Sequence, residues 1–506
     1  MATSLLTHED TGYEGLTSHG GRSMVLKLMI LAIALWGSTI QAQDLGSSPD
    51  LYPERLRMDI ETLRSAIHEA HPDPYRYRTR IELDALIDSV SAGVDRPMSI
   101  VGFHGELTRI LNAVGDSHCR LDWPRDYADH LRSETALIPI QVRVLPDGLY
   151  VEGELKGFRS IPIGSRVLSV NGIDADEIVE RLMATVVTDG ANRTYAERVV
   201  EREFPWRYNS FIERGASYRV RYITPEKEEE ERTVFALTGT EIGHARKPAG
   251  ASLLPWGARW VPEIATLWVT LKTLDPDSLV NAGQRADRFL SAMLDEAKKN
   301  KAKTMVIDVR GAGGRDLAMA EMVFAAVAKA PFRVLDDMMV RSITAPEQRS
   351  SHLVPVDFYA STTANFHTST GGAYRFPEND PRLGEYEPLP KAFQGKLYVI
   401  CNGGTVDAAA ALVMMAKRGG RGRIVGEETG SNAHAFTGGA EWLVTLPNSG
   451  LALHVPLLSY VPAGRASGPL DRGEQPHHRA YQQPGAMARG KDSIMDSLLE
   501  MIRELQ

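Results

Sequence analysis

The chain has 506 residues, of which 43% are hydrophobic and 24% are charged, and its formal net charge is −8. This length predicts two to four structural units with sizeable apolar cores. The absence of any long basic block argues against a nucleic-acid-binding protein, because such proteins cluster Lys and Arg against phosphate.

The N-terminal region has the pattern of an export signal. A Lys close to a possible start at Met24 precedes an apolar run that ends at Trp36, and small or polar residues follow. The run is too short to span a bilayer comfortably as a helix. Residues 1–42 are therefore interpreted as a leader and a secretory signal peptide, with a short membrane anchor as the alternative. We expect export to the periplasm or out of the cell.

Residues 50–130 are predicted to form a helical cap that runs into the core. Apolar side chains repeat at helical spacing from Leu56 to Ile67, which predicts an amphipathic helix. Pro72 and Pro74 end this helix, and the same periodicity returns twice more along the segment.

Residues 135–240 have the alternation that is typical of β-strands. The segments 138–144 and 148–152 flank a Pro-Asp-Gly turn. A helix is predicted at Ala175–Met183. The acidic run Glu226–Arg232 is interpreted as a solvated hairpin or loop without a function of its own.

Residues 255–485 alternate between strands and helices, which predicts an α/β core. The predicted strands are Ala265–Leu271, Thr304–Val309, Lys396–Cys401 and Arg423–Gly426. The predicted helices are Leu279–Lys298, Asp316–Ala330 and Asp407–Arg418, with a last helix, Ser493–Leu505, in the terminal segment 491–506. Residues 340–394 are irregular, and a loop of this length inside a domain is usually functional or disordered.

The two cysteines of the chain are Cys119 and Cys401. Two cysteines cannot build a disulfide framework, although one bridge is possible in an oxidising compartment. We expect two buried free thiols.

Two motifs carry candidate chemistry in the first two thirds of the chain. The first contains Ser117 and His118 within the run Gly-Asp-Ser-His-Cys-Arg-Leu. The second is the buried strand Val306–Val309, which leads through an Arg into a turn with Gly313 and Gly314.

A third motif lies at the start of the alanine-rich helix. The segment Asn402–Ala409 turns from an apolar strand over two glycines into the helix at Asp407, and Arg421–Gly430 follows with a Val-Gly-Glu-Glu strand end. Such an elbow presents a side chain at a helix N-terminus, where backbone N–H groups can hold a developing oxyanion.

In this order and spacing, the motifs resemble the tail-specific, or C-terminal processing, serine peptidases and the related tricorn core. The likeness runs from about residue 52 to the end of the chain, and Ile163–Gly172 is similar to the family's PDZ-like module. The resemblance implies a multi-domain α/β protein. It places a crotonase-like β-β-α spiral core at residues 255–485, behind an N-terminal helical cap at 50–130 and a PDZ-like β module at 135–240.

The family's nucleophile is a serine, and its place in the motif falls on Asp407. The processing branch takes a lysine as its base, which the stretch Gly430–His434 lacks. The tricorn-like branch instead takes a histidine preceded by a serine, which matches Ser117 and His118. The resemblance therefore implies Asp407, at the nucleophile position, His118 and Ser117 as the catalytic set.

The resemblance also assigns the oxyanion hole to the N–H groups of Gly313, Gly314 and Ala408. A carboxylate is a poor acyl nucleophile, because its attack on an amide forms a high-energy anhydride. Asp407 would also repel a developing alkoxide, and its charge would raise the pKa of His118. We therefore expect proteolysis by the family route to be reduced or lost.

Other interpretations of these residues stay open. Asp407 is a good N-cap residue, which would make it a structural side chain in an inactive homologue, or it is a catalytic carboxylate that activates water. Thr405 is a second hydroxyl near the elbow. Asp407, His118 and His434 could together hold a metal, although no paired histidine spacing supports a metal site.

The resemblance thus predicts an exported serine-type peptidase homologue that acts on or binds peptides and unfolded protein tails. A non-catalytic peptide-binding protein and a hydrolase with altered chemistry are the alternatives. The expected partners are peptides or protein C-terminal tails. No nucleic acid, cofactor or metal is expected, and a membrane is expected only through an uncleaved signal.

Overall fold

The structure is a computed structural model that describes residues 51–133, 135–155, 160–245, 254–344, 352–353, 358–359, 367–368 and 372–504. The predicted leader and signal peptide, residues 1–42, lies outside these residues, as does most of the irregular segment between 345 and 371. A search of the described residues finds no helix with the length and apolar character needed to span a membrane.

The described residues form helices and strands of both long and very short length. The helices are α1 (Pro53–Ala70), α2 (Arg80–Gly93), α3 (Ile100–Val114), α4 (Arg125–Ser133), α5 (Ala175–Met183), α6 (Arg193–Phe211), α7 (Gly239–Ala245), α8 (Pro276–Asn281), α9 (Ala286–Lys299), α10 (Leu317–Ala325), α11 (Asp407–Arg418), α12 (Pro484–Ala488) and α13 (Ser493–Glu504).

The strands are β1 (Leu121–Asp122), β2 (Ala136–Leu137), β3 (Ile140–Leu145), β4 (Gly148–Glu154), β5 (Arg166–Val170), β6 (Ile173–Asp174), β7 (Ser217–Ile223), β8 (Glu229–Phe235), β9 (Leu237–Thr238), β10 (Trp256–Val261), β11 (Thr266–Leu271), β12 (Thr304–Asp308), β13 (Leu335–Val340), β14 (His352–Leu353), β15 (His367–Thr368), β16 (Tyr374–Arg375), β17 (Lys396–Cys401), β18 (Arg423–Gly426), β19 (Phe436–Thr445), β20 (Ala452–Pro462) and β21 (His478–Arg479).

The N-terminal helices pack through the apolar faces that the sequence predicts. Leu56, Ile60 and Leu63 of α1 are fully buried. A capping box begins α2, in which Thr79 and Glu82 exchange side-chain and backbone hydrogen bonds. The helix α3 ends at a left-handed glycine, so the chain turns sharply into the segment that carries Ser117 and His118.

A mixed sheet in the order β10-β11-β12-β17-β18-β21 forms the centre of the α/β part. The pairs from β11 to β21 are parallel, whereas β10 is antiparallel to β11. The helix α11 packs with nine consecutive buried residues, Ala408–Ala416, which its small alanine side chains permit. Because β12 and β17 are parallel neighbours, the turns after their carboxyl ends lie side by side.

Two predicted helices of this region are shorter than expected. The predicted helix 279–298 is divided into α8 and α9, because Gly283 takes a left-handed conformation between them. The predicted helix 316–330 ends at Ala325, where the N–H groups of Val327 and Ala328 both bond back to Phe324 O.

A second sheet is antiparallel, in the order β3-β4-β5-β7-β8 with β6 beside β5. The strands β7 and β8 form a hairpin, and the acidic run Glu226–Arg232 supplies part of its turn and the first residues of β8. The helix α6 packs against β3 and was not predicted, because it is rich in charged residues and carries Pro205 in its interior.

The third sheet is built around a long hairpin of β19 and β20, which the sequence analysis did not identify. The strand β20 also pairs with β13 and with β1, so the hairpin contacts both the α/β part and the segment after α3. The turn of the hairpin is held by the fully buried Asp59 of α1, which accepts from the N–H groups of Asn448 and Ser449.

Candidate active site

The elbow between β17 and α11 places Asp407 at the first residue of the helix in a left-handed conformation, with φ +53°. A non-glycine residue in this region costs roughly 1–2 kcal/mol, and such strain is concentrated at functional sites. The Asp407 N–H donates to Ser431 Oγ over 2.8 Å. A Cβ at Gly403 would lie 2.1 Å from Thr194 O, so only glycine fits the turn.

The loop that carries Ser431 is held by the start of α6. The Asn192 side-chain amide donates to Thr429 O over 2.6 Å and to Gly430 O over 3.1 Å. The Thr194 hydroxyl donates to Glu428 O over 3.1 Å. The contact that orients the Asp407 backbone is therefore itself supported from α6.

Asp407 does not cap the helix, so the N-cap interpretation of this residue is wrong. Val406 occupies the N-cap position, and no side chain caps the first turn. The left-handed backbone directs the Asp407 carboxylate away from the helix N–H groups that a capping side chain would bind. Its side chain instead faces His118.

His118 and Asp407 form an ion pair, in which His118 Nε2 lies 3.1 Å from Asp407 Oδ1. The two side chains are 12% and 15% exposed. The contact has ion-pair distance without hydrogen-bond alignment, since Oδ1 accepts no well-directed hydrogen bond among the described residues. The sequence placed these two residues in one site, and the structure brings them together.

The other ring nitrogen of His118 faces Thr437 on β19. Thr437 Oγ1 donates to Asp116 Oδ1 over 2.7 Å, so its proton is engaged. At 3.2 Å, Thr437 Oγ1 can then only accept from His118 Nδ1. Both ring nitrogens thus face acceptors, and this arrangement favours the imidazolium form of His118.

Asp116 is a second carboxylate near His118, and it is 7% exposed. Its Oδ1 also accepts from the His118 N–H over 2.9 Å. Its Oδ2 lies 3.0 Å from His71 Nε2. Because His71 Nδ1 accepts from the Asp73 N–H, the ring proton of His71 lies at Nε2 and points to Asp116.

Burial and the neighbouring charged groups shift the pKa values of His118 and Asp116 in opposite directions. Burial lowers the pKa of His118, but the charge of Asp407 and the hydrogen bond and charge of Asp116 outweigh it and hold that pKa well above the usual value. Burial raises the pKa of Asp116, but hydrogen bonds from His118 and His71 outweigh it and hold the pKa well below its usual range. Burial, with the charge of Asp116, raises the pKa of the neighbouring Asp189.

The raised pKa of His118 predicts a loss of stability on the alkaline side. The folded state keeps a proton on His118 that the unfolded chain releases near pH 6.5, so this contribution is complete below that pH and is lost as pH rises through the folded-state pKa. Within this window the free energy of unfolding should fall by about 1.4 kcal/mol per pH unit. Asp407→Asn should narrow the pH range of this decrease, because it removes the charge that raises the pKa of His118. Urea unfolding between pH 6 and 10 measures both.

His118→Gln isolates this contribution from other alkaline titrations, because it lacks the imidazole. The free energy of unfolding of the wild type minus that of His118→Gln should therefore show the entire alkaline decrease. An equal alkaline slope in the two proteins would contradict the assignment of the proton to His118.

The oxyanion hole is present only in part as predicted. Gly313 lies beside the elbow, where a Cβ would be 3.8 Å from Asp407 Oδ2. The N–H groups of Gly313 and Gly314 donate to no acceptor among the described residues. The Ala408 N–H, by contrast, donates to Gly314 O over 3.1 Å, so its assignment as an oxyanion donor is wrong for this conformation.

Two other hydroxyls that the sequence singled out do not replace the serine. Ser117 donates its backbone N–H to Asp189 Oδ1 over 2.8 Å, and no described hydrogen bond joins its hydroxyl to His118. Thr405 is fully buried, and its hydroxyl donates to Val309 O over 2.8 Å and accepts from the Asn402 N–H. Its role is to hold two neighbouring turns together.

His434 has a different contact, since its Nε2 lies 3.2 Å from Gly468 O. Among the described residues, no group of three or more His, Cys, Asp or Glu side chains is arranged to hold a metal ion. Cys119 and Cys401 are both buried free thiols, as expected.

A cleft of about 1010 Å³ lies beside this site, and its lining includes neither His118 nor Asp407. Ser117, the neighbour of His118, and Tyr195, the neighbour of Gly430, line it. Its wall also contains Trp123 and Phe211, whose ring centroids are 6.1 Å apart. The cleft is large enough for several residues of an extended peptide.

The sequence analysis missed His71, Asp116 and Thr437. Asp116 was within the motif that it quoted, two residues before His118, and this spacing suits an Asx turn to the His118 N–H. His71 precedes Pro72, and the sequence analysis interpreted this segment only as the end of a helix. Thr437 lies on the hairpin that was not predicted, so no local signal was available for it.

Comparison with known proteins agrees with the geometry. Residues 271–476 match the model of Peptidase family S41. No curated protein matches the sequence. Mature CPAF complexed with lactacystin has a similar structure, with a TM-score of 0.65 at 12% identity over 90% of this chain and 98% of that chain. Mature CPAF alone gives a TM-score of 0.62 at 12% identity over 86% of this chain and 94% of that chain.

At this identity, the structural likeness shows the fold, whereas the family model identifies the segment that carries Gly313, Gly314 and Asp407. The resemblance that the motifs indicated is thus confirmed: the chain resembles the tail-specific peptidases, with its Peptidase family S41 segment at residues 271–476.

Proposed function

We propose that this chain is an exported homologue of the tail-specific peptidases that binds peptides or unfolded protein tails and has lost serine-type catalysis. The observation that carries the proposal is the ion pair between His118 Nε2 and Asp407 Oδ1, at 3.1 Å, in the place of a serine–histidine pair. Export rests on the signal pattern in residues 24–42 of the sequence.

The acyl-enzyme route needs a hydroxyl whose proton passes to the histidine. Asp407 has none, and the neighbouring hydroxyl of Ser431 is fully buried and accepts from the Asp407 N–H. The Ala408 N–H is also engaged with Gly314 O, which leaves the oxyanion hole with fewer donors. These three features act in the same direction, against an acyl-enzyme intermediate.

The parts that would bind a peptide are retained. The cleft beside Ser117 combines aromatic walls with polar groups, which is the composition of a ligand site. We assign the β3–β8 sheet with α5 and α6 to the PDZ-like module, and the β11–β18 region with α10 and α11 to the crotonase-like spiral core. An edge strand of the module, β8, is available for strand addition by an extended peptide.

The test combines a covalent probe with a binding assay. A serine-directed fluorophosphonate should not label the wild-type chain. Fluorescein-labelled casein peptides should bind it, with fluorescence anisotropy as the measurement. Trp123→Ala should weaken this binding about tenfold, because Trp123 contributes an aromatic wall of the cleft.

Val280→Ala is the matched control, since Val280 is 68% exposed and lies outside the cleft. Thermal unfolding of both variants checks their folding. Labelling of the wild type would contradict the loss of serine-type catalysis, and absence of peptide binding would contradict the binding function.

A further inference from the structure

We propose that the Asp407–His118 pair hydrolyses peptide bonds by direct attack of water, with Asp407 as the general base and His118 as the general acid. The inference rests on the proposed function, because it requires a peptide in the site. It goes further, because it assigns a slow activity without a covalent intermediate to residues that have lost the serine mechanism.

The resting pair already contains both proton carriers that this reaction needs. His118 Nε2 faces the Asp407 carboxylate at 3.1 Å, and Nδ1 faces the Thr437 hydroxyl oxygen, whose own proton goes to Asp116. Hydrogen-bond direction places a proton on Nδ1, and the neighbouring Asp407 carboxylate stabilises a second proton on Nε2. A carboxylate and an imidazolium in contact form one base and one acid.

The Asp407 carboxylate is placed to bind and activate a water molecule rather than to attack the substrate itself. Asp407 Oδ2 faces the glycine turn, since a Cβ at Gly313 would lie 3.8 Å from it. The N–H groups of Gly313 and Gly314 have no acceptor among the described residues. A water on Oδ2 would thus lie next to donors that are free to bind a carbonyl oxygen, which is the arrangement needed for a tetrahedral intermediate.

The steps balance without any further reactant. Asp407 removes a proton from water, and the hydroxide forms a C–O bond to the peptide carbonyl carbon. The imidazolium of His118 gives its Nε2 proton to the amide nitrogen, and the C–N bond breaks with its electron pair on nitrogen. The proton on Asp407 then passes to His118 Nε2, 3.1 Å away, and the original ion pair is restored.

The same chemistry excludes covalent attack by Asp407 on the peptide. An aspartyl–acyl bond would be an anhydride, which is less stable than the amide from which it forms. No acyl group should therefore be transferred to an added amine nucleophile. This absence separates the proposal from every acyl-enzyme mechanism.

The pH profile is a second signature. The groups around the His118 ring are Asp407, Asp116 and Thr437 in contact and His71, Asp189 and Tyr195 beyond them. His118 must be protonated to act as the acid, so activity should fall as pH rises through its raised pKa. A serine–histidine pair behaves in the opposite way, because its imidazole must be neutral to act as a base.

The experiment measures cleavage of an internally quenched casein peptide by wild type, Asp407→Asn, His118→Gln and the surface control Asp88→Asn. Asp88 is 67% exposed, lies within α2 and pairs with Arg64 of α1. The first two variants should lose about a hundredfold or more in rate, as removal of a general acid or base does. The control should keep the wild-type rate.

Isotope labelling and trapping complete the test. In H₂¹⁸O, the new C-terminal carboxylate of the product should carry the label, whereas the Asp407 carboxylate should remain unlabelled after many turnovers. Hydroxylamine should yield no hydroxamate with the wild type. Label on Asp407, a hydroxamate product, or a wild-type rate equal to that of Asp407→Asn would each overturn the proposal.

Fluorescence anisotropy of the labelled peptide distinguishes a failure of the water mechanism from a failure of the proposed function. If the peptide binds but no Asp407-dependent cleavage is detected, the water mechanism is overturned and the binding function stands. Absence of binding would overturn the proposed function itself.

Discussion

Asp407→Ser is expected to restore serine-type chemistry and to raise the rate of peptide cleavage at least about a hundredfold over the wild type. The variant places a hydroxyl at the left-handed elbow, where Asp407 Oδ1 now lies 3.1 Å from His118 Nε2. Without the neighbouring charge, the pKa of His118 should fall, so that the imidazole can accept the serine proton. Casein-peptide cleavage and fluorophosphonate labelling are the measurements.

The double variant Asp407→Ser with His118→Gln is the control for this gain. It should return to the low rate and lose most of the labelling, because the hydroxyl has no base. The pH dependence of the cleavage rate should also be opposite to that of the wild type. In Asp407→Ser the rate should rise with pH as the imidazole of His118 becomes neutral. A single variant that stays unlabelled and inactive would show that the scaffold no longer supports the family chemistry.

Asp116→Ala is expected to have the largest effect on stability, a loss of roughly 3–5 kcal/mol in the free energy of unfolding. The buried carboxylate accepts from His71 Nε2, from the Thr437 hydroxyl and from the His118 N–H. Its removal leaves these donors buried without their acceptor and leaves the positive ring of His118 with one carboxylate fewer. Thermal unfolding at neutral pH should show a fall in Tm of several degrees.

The surface variant Asp88→Ala is the matched control. Asp88 pairs with Arg64 but is 67% exposed, and exposed ion pairs contribute little. Its Tm should lie close to that of the wild type. Equal effects of the two substitutions would contradict the structural role that the hydrogen bonds give to Asp116.

The parts of the fold that were predictable are those with a strong local pattern. The strand Lys396–Cys401 and the helix Asp407–Arg418 have the predicted bounds, because an apolar run and an alanine run meet at a glycine turn. The helix Arg193–Phe211 was not predicted, since Pro205 interrupts its sequence pattern while its tertiary packing keeps it helical.

The candidate site also contains features that could be predicted from the sequence and features that could not. The family resemblance predicted the pairing of His118 with Asp407, although their residue numbers differ by 289 (407 minus 118). The engagement of the Ala408 N–H with Gly314 O could not be predicted, because it depends on the relative orientation of two turns. The same holds for His71 and Thr437, which only the folded chain brings to Asp116.

The attachment of the Ser431 loop to the start of α6 has a consequence for control of the site. Asn192 and Thr194 tie the module helix to the loop, and Ser431 in turn accepts from the Asp407 N–H. A ligand that tilts α6 would therefore change the orientation of the elbow through the hydrogen bonds from α6 to the loop and from the elbow to Ser431, without contacting the elbow. The binding of a ligand to α6 and the orientation of the Asp407 carboxylate would be thermodynamically linked, because each would change the other by the same free energy.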